Sequence, residues 1–106
     1  MNIVVFKYTI NPEEIDLTGA VTLNLPISAR VLCVHEQRGA MCLWASHEVP
    51  SDSTAPWIQK EMQAMEPRRF FVLPTGEIRD IGVEARYIGS VFLHNVSLVF
   101  HVFESL

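Results

Sequence analysis

Cysteine occurs twice in the 106 residues, at Cys33 and Cys42. That is too few for the disulfide framework of a small secreted domain, and the two do not form a Cys-x-x-Cys pair. Glycine occurs five times and never as a Gly-rich phosphate loop, which counts against nucleotide hydrolysis on a familiar fold. No Gly-x-Ser-x-Gly elbow, papain-like cysteine signature or Ser-x-x-Lys is present, so nucleophilic catalysis lacks its usual markers. No apolar run approaches the roughly 20 residues that span a bilayer. Positive charge is also short: eight basic against twelve acidic side chains give a net charge of −4, with no broad attraction to nucleic-acid polymers or anionic membranes. Met1 to Lys7 has neither a basic region ahead of its apolar run nor a small-residue cleavage site. It does not read as a secretory signal, and with two reduced thiols it predicts a cytoplasmic protein.

What is present is apolar. Hydrophobic residues make up 49% and charged residues 19% of the chain, the balance of a globular protein. The length suits a single domain over 1–106 with one core. No repeat, low-complexity tract or linker divides it. Charge is uneven: residues 1–59 hold three basic and six acidic side chains, and 60–86 hold five of each. An anion site is therefore expected in the second half.

Val4, Phe6, Tyr8 and Ile10 share a face at a period of two, and Asn11-Pro12 ends that strand. Pro12 to Leu17 reads as an acidic turn or short edge, and Gly19 ends it. Val21, Leu23 and Leu25 alternate with Thr22 and Asn24 as far as Pro26. Ala29 to Gln37 and Ala40 to Glu48 flank Arg38-Gly39, the pattern of a tight hairpin. With a two-residue loop, Gln37 faces Ala40, His35 faces Cys42 and Cys33 faces Trp44. Leu32, Val34, Met41, Leu43 and Ala45 then form the core face, with Cys33, His35, Cys42 and Trp44 on the other; a slip of one residue would exchange them.

Farther along, Thr54 can cap a helix with Pro56 in its first turn. Ile58, Met62 and Met65 follow at helical spacing, and Glu66-Pro67 stops the run. Arg69 to Leu73 is a strand, Pro74-Thr75-Gly76-Glu77 a turn and Ile78 to Glu84 irregular. Ala85 to His94 and Ser97 to Glu104 make a second hairpin around Asn95. The sum is a mainly β fold: an antiparallel small sandwich or partly open barrel of about six or seven strands with one short helix.

Guanidinium forks with aromatic planes hold a phosphate and a base without Gly-rich loops. Arg68, Arg69 and Arg79 are the candidates for the phosphate, and Trp44, Trp57 and Tyr87 for stacking. The plainer alternative pairs Arg68 and Arg69 with Glu61 and Glu66 and puts Trp44 in the core. Alternation places Arg69 with Phe71 and Leu73, and Arg68 with Phe70 and Val72, so one arginine lies beside an apolar face. His101, between Val99 and Phe103, is read first as a buried histidine held by a hydrogen bond and second as a ligand contact. His35, Cys33 and Cys42 share a face, but the histidines lack ligand spacing, and no metal or cofactor is expected. Phe92, Phe100, Val102 and Phe103 give the last hairpin more apolar surface than one small sheet hides, which predicts a homo-oligomer.

At Tyr87-Ile88-Gly89-Ser90 and Leu98-Val99-Phe100-His101-Val102-Phe103-Glu104 the chain resembles a family of small uncharacterised domains encoded mainly by bacteriophages. The likeness extends to Val5-Phe6-Lys7-Tyr8, Ala29-Arg30-Val31-Leu32, Leu43-Trp44-Ala45 and Arg69-Phe70-Phe71-Val72 with Thr75-Gly76-Glu77, leaving out 49–66. In that family the turn often reads Gly-Thr-Gly-His. Pro74 and Glu77 hold its outer positions here, so no histidine role carries over. The resemblance implies a phage protein in a bacterial cytoplasm and no assigned activity. Several families of compact phage proteins sequester nucleotide signals of bacterial immunity, which is an analogy of setting.

The expectation is a non-enzymatic, homo-oligomeric binding module that sequesters a small phosphorylated ligand through Arg68, Arg69, Arg79, Trp44, Trp57, Tyr87 and His101. A protein-interaction module binding a host or phage protein through the helix and last hairpin is the first alternative. A small hydrolase using His101 or His47 with Glu77 is the second, and enzymatic activity is left open on that account.

Overall fold

Two antiparallel sheets carry the chain, and the computed structural model describes residues 2–49, 64–94 and 97–106. Strands β1 (Asn2–Ile10), β4 (Ala40–Val49) and β3 (Arg30–Gln37) form a three-stranded sheet in the order β1-β4-β3. Strands β2 (Ala20–Pro26), β5 (Met65–Pro74), β7 (Leu98–Ser105) and β6 (Ala85–Leu93) form a four-stranded sheet in the order β2-β5-β7-β6. A single turn of 3₁₀ helix at Pro12–Glu14 follows β1. The sheets do not close into a barrel among the described residues, so the fold is a small sandwich.

The inner faces follow the expected alternation. Ile10 on β1, Val21 and Leu25 on β2, and Leu43 and Ala45 on β4 meet Phe70, Val72, Val91 and Val102 in the core. Full burial of a large side chain such as Phe70 contributes about 1.5 to 3 kcal/mol.

The β3–β4 hairpin has the two-residue loop, with Gln37 opposite Ala40, His35 opposite Cys42 and Cys33 opposite Trp44. Arg38 and Gly39 take φ of 53° and 82°, the paired left-handed residues that suit the right-handed strand twist. Leu32 departs from the expected core face. The ladder slips between Val31 and Cys33, and this bulge turns Leu32 outward, 48% exposed, while Val31 packs on the core.

Residues 54–63 of the expected helix lie outside the described residues. Its last expected member, Met65, instead opens β5 opposite Pro26. Pro67 is tolerated in that strand because it stands opposite Asn24, ahead of the point where β7 joins at Phe70.

Among the described residues the two sheets meet most closely along the β3–β6 side. A second bulge lies in β6 between Tyr87 and Gly89, and there β6 meets β3: a Cβ on Gly89 would stand 3.1 Å from Val34 Cγ1 and 3.8 Å from Val34 O. Both bulges therefore sit on the two edge strands that face each other.

Candidate functional site

The outer face of the four-stranded sheet gathers more of the expected site residues than any other surface. Register fixes its rows. Tyr87, Phe103 and Phe71 lie side by side across β6, β7 and β5, and Ser90, His101 and Leu73 form the next row. The Tyr87 and Phe103 rings lie 5.5 Å apart, inclined by 60°, a tilted arrangement that suits aromatic quadrupoles. Tyr87 is 56% exposed.

A chain of polar contacts runs beside this aromatic row. Tyr87 OH and Ser90 Oγ are 2.7 Å apart, Ser90 Oγ lies 2.7 Å from His101 Nδ1, and His101 Nε2 lies 2.7 Å from Thr75 Oγ1. Both ring nitrogens thus have hydroxyl partners. A neutral imidazole donates through one nitrogen and accepts through the other, so the hydroxyls must all point the same way along the chain, and a proton on His101 would make it donate to both sides. His101 is thus held by hydrogen bonds, but it is half-buried and not the buried histidine of the first reading. Glu77 is not among its partners; that carboxylate pairs with Arg79.

The three arginines separate. Arg69 lies on the outer face, its guanidinium carbon 4.8 Å from the centre of the Phe71 ring, and Nη2 donates to Thr18 Oγ1 at 3.3 Å. Arg79 clasps the same 16–19 loop from its other side, Nη1 donating to Leu17 O at 2.8 Å. Arg68 points to the opposite face of β5, where Nε donates to Glu104 Oε2 at 2.6 Å and Nη2 to Oε1 at 3.0 Å. Arg86 Nη2 donates to the same Oε1 at 2.9 Å. Glu104 is 5% exposed, and sequence reasoning passed over it because its partners lie 36 and 18 residues away.

Trp44 is half-buried on the outer face of the other sheet, its ring 6.4 Å from His35, and so lies across the molecule from Tyr87. Trp57 lies outside the described residues. Cys33 and Cys42 are free thiols on the face expected for them. Among the described residues no three His, Cys, Asp or Glu side chains cluster as metal ligands. His47 is 4% exposed and stacks on Phe6 at 5.2 Å.

The chain belongs to the family Domain of unknown function (DUF7352), whose model matches residues 1–106. No curated protein and no solved structure matches it. For this DUF7352 domain, then, chemistry must be argued from the side chains. Its outer face offers the Tyr87–Phe103 ring pair beside a fully buried Phe71, a guanidinium at one end and a hydroxyl–imidazole chain alongside. Those groups can stack a flat ring, hydrogen-bond its edge and meet an anion.

Proposed function

We propose that this chain is a non-enzymatic binding module, homo-oligomeric, that captures a small phosphorylated ligand, a nucleotide above all, on the outer face of its four-stranded sheet. The setting is the one its resemblance implies, a phage protein acting in the bacterial cytoplasm. The observation that carries the reading is the union of Tyr87, Ser90 and His101 in one hydrogen-bonded chain beside the Tyr87–Phe103 ring pair. Arg69 stands over Phe71, two strands from Tyr87, a span of roughly 10 Å at normal strand spacing. A base stacked on Tyr87 places its phosphate toward Arg69, which among the described residues engages Nη2 on Thr18 out of five N–H donors. Arg68 takes no part in this reading, because Glu104 holds it.

Native mass spectrometry of the chain drawn from a phage-infected bacterial lysate tests this. The expected result is an oligomer carrying an intact nucleotide mass that Arg69→Ala and Tyr87→Ala both lose. Recovery of a chemically altered ligand would overturn the non-enzymatic reading. A clean oligomer without ligand would favour a protein-interaction module, for which the specific observation is exposed apolar surface on the last hairpin: Phe92 at 54% and Leu98 at 45%.

A further inference from the structure

At one end of the sandwich a cleft of about 530 Å³ opens between the 12–19 loop and the ends of β5, β6 and β7. That volume falls within the range of about 300 to 1,000 Å³ typical of small-molecule sites. The floor is core: Met41, Val72 and Leu93 are each less than a tenth exposed. Leu98 and Phe100 line one wall and Ile15 the other.

The rim carries Asp16, Glu77, Arg79 and His94. Arg79 is held there, with Nη2 on Glu77 and Nη1 on Leu17 O. Gly19, at φ 84°, keeps the room that this arrangement needs: a Cβ there would stand 3.4 Å from Arg79 Nη1 and 3.1 Å from Leu73 Cδ2. Asp16 accepts three hydrogen bonds on Oδ1, from Thr18 N at 2.8 Å, Thr18 Oγ1 at 2.5 Å and Ala20 N at 3.0 Å. Among the described residues Asp16 Oδ2 and Glu77 Oε2 have no partner. Asp16 and Glu77 against Arg79 give the carboxylates and guanidinium of the lining a charge of −1, with Arg69 acting on Asp16 from outside it. The cleft therefore sets two carboxylate oxygens without hydrogen-bond partners above an apolar floor.

We propose that this end cleft is a second binding site, for an organic amine: a ligand with an apolar body seated on Met41, Val72 and Leu93 and an ammonium group at the Asp16 and Glu77 carboxylates. The inference concerns a different set of residues from the phosphate-binding platform and calls for the opposite charge, with Thr18 at the border between Asp16 and Arg69. An ammonium group can donate to a free oxygen of Asp16 or Glu77 without displacing Arg79. A carboxylate or phosphate would have to break the Glu77–Arg79 pair first and would meet like charge.

The test uses a matched pair of probes, 4-phenylbutylamine and 4-phenylbutyrate, titrated into the full chain at pH 7 by calorimetry and by amide chemical-shift mapping. The amine is expected to bind at least about tenfold more tightly than the acid, with shifts centred on Met41, Val72 and Leu93. Glu77→Gln, a change at the partly exposed rim, removes one carboxylate and releases Arg79. It is expected to shrink the amine's advantage at least several-fold, chiefly by admitting the acid. The proposal is overturned if the acid binds as well as the amine, if neither binds, if the shifts map elsewhere, or if Glu77→Gln leaves the selectivity unchanged.

Discussion

Two single residues give the fold a pH dependence of opposite sign at opposite ends of the scale. Asp16 has its carboxyl held below the ordinary 3.8, first by the hydrogen bond from the Thr18 side chain and next by the Ala20 amide. A depressed folded value favours the carboxylate, so its contribution is present above 3.8 and is lost as pH falls through the folded value. Asp16→Asn keeps an oxygen acceptor and removes the titration. Acid unfolding followed by circular dichroism should then show the variant losing less stability than the parent over the acid range. Tyr8 behaves in the reverse sense: burial raises its phenol above 10.0, because the phenolate would give up its solvation. Its contribution is full below 10.0 and is lost as pH rises through the folded value. Tyr8→Phe should remove a late-ionising phenolate from the alkaline absorbance titration and flatten the fall of stability above pH 10. An unchanged titration curve would refute the Tyr8 assignment.

At the scale of strands and hairpins, the bulges are the decisive local features. Gly89 lets β6 lie against β3, and a methyl there would press on Val34 Cγ1 at 3.1 Å. Val34 is 2% exposed and stiff at χ1 as a β-branched residue, so it has little room to retreat. Gly89→Ala is therefore expected to cost about 1 to 3 kcal/mol, the usual range for overpacking, measured as a lower urea midpoint at unchanged slope. The same bulges mark the limit of what alternation reveals. The β3–β4 register was legible because Arg38-Gly39 fixes the loop and apolar residues alternate on both strands. Leu32 was misplaced because one extra residue reverses every face beyond it, and no residue type announces that slip. Of the outer-face site, Arg69, Tyr87 and His101 were legible as polar or amphipathic members of apolar strands. Ser90 and Thr75 were not, since only the third dimension brings a hydroxyl to each nitrogen of His101.

For the molecule as a whole, the most consequential polar contact is the one that joins three strands of one sheet to the loop leading into the other. Glu104 on β7 takes Arg68 from β5 and Arg86 from β6, and Arg68 Nη1 goes on to the carbonyl of Ala29, just ahead of β3. Arg68 and Glu104 side chains are only 15% and 7% exposed, whereas Arg86 is 57% exposed. The cost of desolvating two charges nearly cancels their attraction, so the pair adds little net stability, yet either member left alone in the same place is strongly unfavourable. Glu104→Gln should consequently cost about 3 kcal/mol, with Arg68 left as a poorly solvated cation. Replacing both partners, Arg68→Met with Glu104→Leu, should bring stability back to within about 1 kcal/mol of the parent in urea denaturation. If the two effects simply add, Arg68 and Glu104 are not coupled, and the tie between the sheets must be sought in the apolar core. Strong coupling would mean that Arg68 belongs to the scaffold and that phosphate recognition, where it occurs, depends on Arg69.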